Sequence, residues 1–228
     1  MAINWTQITE ALNSAGFARL ENLLTEADCQ ELIALYAEEE RFRNRVVMQR
    51  HGYGQGEYRY FSYPLPEKVS TLRQQFYRPL SVIANNWSEK LKFKMRYPDT
   101  LEEYTKICHG AGQQRPTPLL LKYKTGDFNR LHQDLYGEHV FPLQMAILLN
   151  KPGIDFTGGE FVLTEQRPRM QSRATVIGLK QGDAVIFAVN DRPRMGLKRM
   201  SRLKMRHGVS EIRSGNRHTL GIIFHDAT

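Results

Sequence analysis

Apolar residues in the first half of the chain recur at the spacing of an α-helix. In two runs they are separated by three or four residues, which places them on one helical face. The first run comprises Cys29, Leu32, Ile33 and Tyr36, and the second comprises Val69, Leu72, Phe76, Leu80, Ile83 and Trp87. Thr25 can cap the first helix by accepting a hydrogen bond from the backbone N–H of Asp28. Pro79 lies inside the second helix, so we expect that helix to be kinked or split.

The second half of the chain consists of short runs with the composition of β-strands. Gly, Pro, Asp and Asn separate them and no helical pattern intervenes, which favours a β-sandwich or a jelly roll. The runs are 119–124, 141–150, 160–164, 174–179, 184–189 and 218–225. We predict one α+β, mainly β, domain over residues 1–228. In it, residues 1–116 form mainly helical support and substrate-side elements, and residues 117–228 form the jelly-roll core.

The composition narrows the class of protein. Of the 228 residues, 41% are hydrophobic and 25% are charged, a globular balance that excludes long disorder. No apolar run approaches the roughly 18–20 residues that span a bilayer, so we expect no membrane partner. The first residues lack the pattern of a secretory signal, and the two cysteines are too few for a disulfide framework. We therefore expect a cytoplasmic protein, and the sequence carries no signal for an oligomeric state.

Charge is distributed unevenly along the chain. The formal net charge is +8, yet residues 1–40 hold eight acids against one arginine, a net −7. Residues 166–217 hold thirteen Lys and Arg against three acids, a net +10. Such polarity indicates a positive face that can attract a polyanion, although a solvated surface with locally uneven charge explains it equally well.

His132 and Asp134 are the first candidates for chemistry. They are separated by one residue just after the first predicted strand, and the two-residue period of an extended chain places them on one face. His207, in the stretch leading to the last predicted strand, is the candidate third ligand. Two histidines and one carboxylate on one side of an ion leave the other positions open, which is typical of non-haem Fe(II) oxygenases.

Arg217 begins an apolar run, ten residues after His207. A guanidinium buried there needs an anion as its partner. A 2-oxo dicarboxylate can provide one, because its distal carboxylate can form a bidentate pair with Arg217 while its other end chelates the metal. An intramolecular ion pair and a surface position on the strand are the alternatives.

The order of these residues resembles that of the Fe(II)/2-oxoglutarate dioxygenase superfamily over roughly residues 118–226. The matching pattern is Tyr123-x-x-Gly126, His132-x-Asp134, Gly158-Gly159-Glu160, Gly182-Asp183, His207 and Arg217. The resemblance implies a double-stranded β-helix, which is a jelly roll of the cupin type. The longer runs HQDLYGEHVFPLQMAILLNKPGIDFTGGEFVLTEQRPRMQSR and RHTLGIIFHDA resemble, more closely, an uncharacterised bacterial oxygenase family predicted to demethylate damaged nucleic acids oxidatively.

The resemblance also implies roles for individual residues. His132, Asp134 and His207 would bind Fe(II), 2-oxoglutarate and O₂ would occupy the open positions, and Arg217 would bind the distal carboxylate of the cosubstrate. Tyr123 matches a tyrosine that contacts the cosubstrate in prolyl-hydroxylase-like members, and Thr219 could add a hydroxyl contact. Both residues could equally be ordinary strand residues. The implied reaction hydroxylates a C–H bond and releases succinate and CO₂.

Two basic segments are candidates for binding a nucleic-acid substrate. Residues 41–63 interleave arginines with aromatics, a composition that can stack bases and hold phosphates. Residues 192–206 hold seven basic residues and no acid, and lead directly into His207. The candidate substrate-binding residues are Arg50, Tyr58, Tyr60, Arg199 and Arg202. The alternatives are a packed loop over the jelly roll for the first segment and a solvated basic loop for the second.

One motif counts against the alkylated-base demethylases as the model for the substrate. The known alkylated-base demethylases carry R-x-N-x-T-x-R, whereas this chain has Arg217-His-Thr219-Leu-Gly221 at that place and lacks the Asn and the second Arg. Nucleic acid is the first hypothesis, and hydroxylation of a protein side chain such as proline, or of a small molecule, is the second. A third hypothesis is a jelly-roll metal-binding or sensing module without oxygenase activity.

Overall fold

A computed structural model describes residues 3–167, 169–195 and 200–228. The four α-helices of the described part all lie before residue 111: α1 Trp5–Ala15, α2 Glu26–Ala34, α3 Glu67–Leu91 and α4 Leu101–Gly110. The predicted cap of α2 is present, because Thr25 Oγ1 accepts a hydrogen bond from the N–H of Asp28 at 3.1 Å. The carboxylate of Asp28 in turn accepts from the N–H of Thr25. Among the described helices, none combines the length and hydropathy that a membrane crossing requires.

Helix α3 runs unbroken through Pro79, so of the two expected effects of this proline, a kink or a split, the split does not occur. Proline removes one backbone hydrogen bond and crowds the preceding turn. The apolar face of α3 outweighs this penalty, because Val69, Phe76 and Leu80 are completely buried in the core. Tertiary packing therefore holds the helix continuous where the local sequence disfavours it.

The strands form two antiparallel sheets. Their bounds are β1 Phe17–Leu20, β2 Phe42–Val47, β3 Gly54–Gln55, β4 Glu57–Phe61, β5 Leu119–Lys124, β6 Phe128–His132, β7 Leu143–Leu148, β8 Phe156–Gly158, β9 Phe161–Gln166, β10 Arg173–Ile177, β11 Ala184–Ala188, β12 Asp191–Met195, β13 Met200–Val209 and β14 Ile212–Ile222. The larger sheet has the order β1-β11-β7-β14-β5-β4-β2, with β8 against β14. The smaller sheet has the order β10-β9-β13-β6-β3, with β12 against β13. The predicted jelly-roll class is confirmed.

The first half of the chain also supplies strands, beyond the helices that the sequence indicates there. Strand β1 pairs with β11, β4 pairs with both β5 and β2, and β3 pairs with β6. Both sheets therefore extend across residue 116. These strands are short or carry glycine, and tertiary partners supply their hydrogen bonds, so the local pattern identifies them poorly.

A buried ion pair fastens α3 to the C-terminal end of the chain. Arg73 Nη2 donates to Asp226 Oδ1 at 2.7 Å, and its Nη1 lies 3.0 Å from the hydroxyl of Tyr63. Arg73 and Asp226 are 2% and 1% exposed. His109 Nε2 lies 2.8 Å from the other carboxylate oxygen, so Asp226 connects α3 and α4 with the segment that follows β14.

Replacing this carboxylate should destabilise the protein strongly. Asp226→Ala leaves Arg73 buried without its anion, and the free energy of unfolding should fall by about 3–5 kcal/mol, measured by urea denaturation. Glu102→Ala is the matched control, because it removes an acid from a fully exposed i,i+4 pair with Lys106 and should change stability little. Equal effects of the two substitutions would contradict this account.

Candidate metal centre and cosubstrate pocket

Three metal-ligating side chains converge between the two sheets. His132 is the last residue of β6, Asp134 follows it by two residues, and His207 lies on β13 directly opposite His132. Their candidate ligand atoms lie within 4.8 Å of one another. The Nε2 atoms of His132 and His207 are 3.5 and 3.4 Å from the two oxygens of Asp134. The three residues predicted from the sequence are therefore brought together, with His207 inside a strand rather than before one.

Neighbouring groups fix the orientation of these ligands. The backbone carbonyl of Arg130 lies 2.7 Å from Nδ1 of His132, and a proton on Nδ1 leaves Nε2 free to bind a metal. Asp134 accepts one hydrogen bond at each oxygen, from the Tyr136 hydroxyl at 2.6 Å and from Nε2 of Gln144 at 2.9 Å. The carboxylate is thus held in one rotational position.

The ionisation of the ligands suits a metal. Burial by itself would raise the pKa of Asp134. The hydrogen bond and charge of His207, the charge of His132 and the hydrogen bond of Tyr136 hold that pKa well below its usual range. Burial lowers the pKa of His132. A charged carboxylate and a neutral imidazole are the forms that bind divalent ions.

Arg217 forms a second feature of the same site. It lies on β14 opposite Tyr123 of β5, and both side chains are buried. Nη1 of Arg217 donates to the hydroxyl of Thr219 at 2.7 Å. Within the described residues, Nε of Arg217 and the Tyr123 hydroxyl have no hydrogen-bond partner. No carboxylate there forms a close ion pair with Arg217, and the charge of Glu160 acts on it only from a distance.

This buried guanidinium fits an anionic ligand. Burial lowers the pKa of Arg217 to about 10, so it is still charged at neutral pH, and a buried charge without a counter-ion is unfavourable. Of the alternatives considered for Arg217, an internal ion pair and a surface position disagree with the described structure. Together with the two unpartnered polar atoms, the residues present fit the distal carboxylate of 2-oxoglutarate.

One cavity of about 220 Å³ connects the metal ligands with Arg217. Alternate residues of β14 and its continuation line it, from Arg217 through Thr219 and Gly221 to Ile223, and β5 contributes Tyr123, Leu121 and Leu119. Leu119 and Ile223 pack beside Tyr58, Tyr60 and Tyr136. The cavity therefore passes from a cationic end to a wall rich in tyrosine.

The proposed substrate residues divide by location. Tyr58 lines the cavity, whereas Tyr60 is buried behind it, with the guanidinium of Arg43 stacked 4.4 Å from its ring centre. Arg50 is exposed on the 3₁₀ turn Met48–His51. Arg202 is exposed on β13 and bonded to Asp191. Arg199 lies outside the described residues.

Segment 192–206 is not the loop that the sequence indicated, because its described residues form β12 and β13. The alternation of β13 exposes Arg202, Lys204 and Arg206 on the face opposite Leu203, Met205 and His207. Arg192 is buried instead and bonds to Glu165 at 2.9 Å. The basic residues of this segment therefore do not share one surface.

Segment 41–63 is also less cationic than its arginine content indicates. Arg41 pairs with Glu38, Arg45 with Glu57, and Arg59 with Glu39. Glu38 and Glu39 lie just before the segment and Glu57 lies within it. Their ion pairs leave Arg50 as an exposed arginine of the segment without a carboxylate partner in the described structure.

Tyr136 and Gln144 are site residues that the sequence analysis missed. A signal for Gln144 exists, since it is the one polar residue in the buried strand Leu143–Leu148. Tyr136 carries no such signal, because its role depends on the path of the chain after Asp134.

Solved structures share this fold. A 2OG-Fe(II) oxygenase family protein from Burkholderia pseudomallei has a TM-score of 0.56 at 15% identity, over 100% of this chain and 95% of that one. A prolyl-4-hydroxylase from Pseudomonas putida has a TM-score of 0.53 at 13% identity, over 99% and 100% of the two chains. The fold is therefore that of the 2-oxoglutarate/Fe(II) oxygenases, the double-stranded β-helix.

The sequence comparisons identify the family. Residues 56–227 match the model of a family described as an oxygenase that catalyses oxidative methylation of damaged DNA. Two uncharacterised proteins of Mycobacterium tuberculosis, from strains CDC 1551 / Oshkosh and ATCC 25618 / H37Rv, are each 51% identical over 167 residues, 73% of this chain and 72% of theirs. The chain belongs to this oxygenase family, and the predicted superfamily, enzyme class and cofactors Fe(II), 2-oxoglutarate and O₂ are confirmed.

The contact between Tyr136 and Asp134 should be measurable as metal affinity. Tyr136→Phe removes one of the two hydrogen bonds that orient the carboxylate, and affinity for Fe(II) should fall roughly 10–100-fold, measured by anaerobic titration. Tyr104→Phe is the matched control, because the Tyr104 hydroxyl is buried and bonds to none of the described residues. Unchanged affinity in Tyr136→Phe would show that the tyrosine does not position Asp134.

Proposed function

We propose that this oxygenase hydroxylates N-methyl groups of alkylated nucleic acid, using Fe(II), 2-oxoglutarate and O₂. The observation that carries the proposal is the placement of His132, Asp134 and His207 in one cavity with the buried, unpaired Arg217. A metal site alone would fit many proteins. A metal site beside a buried cation fits a 2-oxo dicarboxylate that binds both at once.

Each residue has a defined task in this mechanism. His132, Asp134 and His207 would hold Fe(II), and Arg217 would bind the distal carboxylate of 2-oxoglutarate, with Tyr123 and Thr219 beside it. When bound, the metal and cosubstrate supply the oxidation of a substrate C–H bond by O₂, with release of succinate and CO₂.

The protein contributes positioning and the exclusion of water. Tyr136 and Gln144 fix Asp134, and the apolar side chains of Leu121, Met145 and Phe187 line the cavity around the metal ligands. An oriented substrate and a dry site favour reaction at one chosen carbon. Hydroxylation of an N-methyl carbon gives an N-hydroxymethyl group, which loses formaldehyde and leaves the demethylated nitrogen.

Two observations, together with the chemistry of the reaction, support nucleic acid as the substrate. The description of the family includes damaged DNA. An oxygenase acting on an N-methyl group removes it, so the chemistry matches repair by demethylation. Tyr58 and Tyr136 also give the cavity a wall of aromatic surface, which suits a flat base extruded from its stack. The basic segments 41–63 and 192–206 contribute only through the cations that remain unpaired.

Hydroxylation of a protein side chain, such as proline, or of a small molecule is the second candidate. The observation in its favour is the likeness of fold to the prolyl-4-hydroxylase from Pseudomonas putida. A non-catalytic metal-binding or sensing module is a further alternative to the catalytic part of the proposal. In such a module the buried charge of Arg217 would have no anionic partner.

Turnover with defined substrates distinguishes these candidates. Single-stranded oligonucleotides carrying 1-methyladenine or 3-methylcytosine should stimulate succinate formation and release formaldehyde in equal amount, whereas a proline-rich peptide should stimulate neither. Asp134→Ala should abolish both products, because it removes the carboxylate that the described residues contribute to the candidate metal site. Stimulation by the peptide alone would replace the nucleic-acid substrate with a protein substrate. Inactivity toward both would contradict the proposed substrate class.

A further inference from the structure

Two exposed aromatic rings are stacked at the mouth of the cavity. The ring centres of His51 and Tyr53 are 5.3 Å apart, with 22° between their planes. Gly52 separates the two residues in the left-handed region, at φ 71°, which a residue without Cβ adopts readily and which lets the chain reverse between them. Tyr53 is 51% exposed and also lines the cavity, so the pair lies where the cavity meets solvent.

The pair is fixed to the strand that carries a metal ligand. The carbonyl of Tyr53 accepts from the N–H of Arg130 at 2.8 Å, and Gly54 pairs with Asn129. Both contacts are to β6, which ends at His132, and the carbonyl of Arg130 contacts the ring of His132. The two rings therefore have a set position relative to the metal centre.

Unpaired cations accompany the rings. Arg50, next to His51, and Arg130, on β6, are both exposed and have no carboxylate partner among the described residues. The neighbouring Arg41, Arg45 and Arg59 are all neutralised by glutamates. Positive charge without a carboxylate partner thus adjoins the rings, at the residue before His51 and at the residue whose N–H donates to the carbonyl of Tyr53.

We propose that His51 and Tyr53, with Arg50 and Arg130, form a stacking platform for the nucleotide next to the modified base in a single strand. This inference rests on the proposed function. Exposed ring faces stack on any base, and adjacent arginines hold the backbone phosphates, which is the chemistry of single-strand binding. The two rings precede residues 56–227, so the family match does not assign them this role.

The test is a binding cycle between the platform and the neighbouring base. Holoenzyme with Fe(II) and 2-oxoglutarate, kept free of O₂, is titrated into a fluorescein-labelled DNA octamer with one central 1-methyladenine, and anisotropy is recorded. A second octamer has abasic sites on both sides of the modified base. Wild-type protein should bind the abasic octamer about tenfold more weakly, the loss expected for one stacked base.

The variant with both His51→Ala and Tyr53→Ala should bind the two octamers equally, at the weaker level. Tyr53→Phe keeps the ring and should behave as wild type. If the double variant loses the same factor on both octamers, or binds the intact octamer as tightly as wild type, the platform does not exist.

The contribution of the arginines is tested by the dependence of binding affinity on salt concentration. Arg50→Ala should reduce the slope of log affinity against log salt by about 1, whereas Arg45→Ala, the control in the same segment, should leave it unchanged. Equal slopes in both variants would show that Arg50 does not contact the nucleic acid.

Platform binding without formaldehyde release would contradict the proposed function alone. Demethylation with unaltered binding in the double variant would contradict the platform alone.

Discussion

The pairing of β13 with β6 is the constraint on which the metal centre depends. It places His207 directly opposite His132, and Asp134 follows two residues after the end of β6, so the metal ligands converge without any contribution from a long loop. A shift of one residue would turn His207 to the opposite face of the sheet. That face carries Arg206 and Lys204, which are cations and cannot serve as ligands.

Strand pairing in the larger sheet likewise positions the residues of the proposed cosubstrate site. Arg217 faces Tyr123 across β14 and β5, and alternate residues of both strands form the wall of the cavity. The buried charge is unfavourable for folding by itself. In the proposed function, its position beside the candidate metal site would select a dicarboxylate, because only an anion of suitable length could reach both the metal and the guanidinium.

The sequence predicts the chemistry of this site better than its surroundings. His132, Asp134, His207 and Arg217 can be found because their types and order are specific to this chemistry. Tyr136 cannot, since its contact with Asp134 arises from the chain path after the strand. The continuity of α3 through Pro79 depends on tertiary packing in the same way.

The arginine content of two segments overestimates the unpaired positive charge that they carry. Segments 41–63 and 192–206 are rich in arginine, but ion pairs with Glu38, Glu57 and Glu165 neutralise much of that charge. Strand alternation places Arg202, Lys204 and Arg206 on the exposed face of β13 and Arg192 in the interior, a division that a count of residues does not contain. Arg50, next to His51, and Arg130, whose N–H donates to the carbonyl of Tyr53, have no carboxylate partner among the described residues.

The central claim is that one cavity binds Fe(II) and 2-oxoglutarate together through the metal triad and Arg217. It is tested most directly by anaerobic titration of both into the apoprotein, following the metal-to-ligand charge-transfer absorption. The band should require both additions. It should be lost in His207→Ala and weakened in Arg217→Met, while Arg213→Met, an exposed arginine of the same strand, should retain it. Folded protein that binds the metal but gives no band with 2-oxoglutarate would contradict the account.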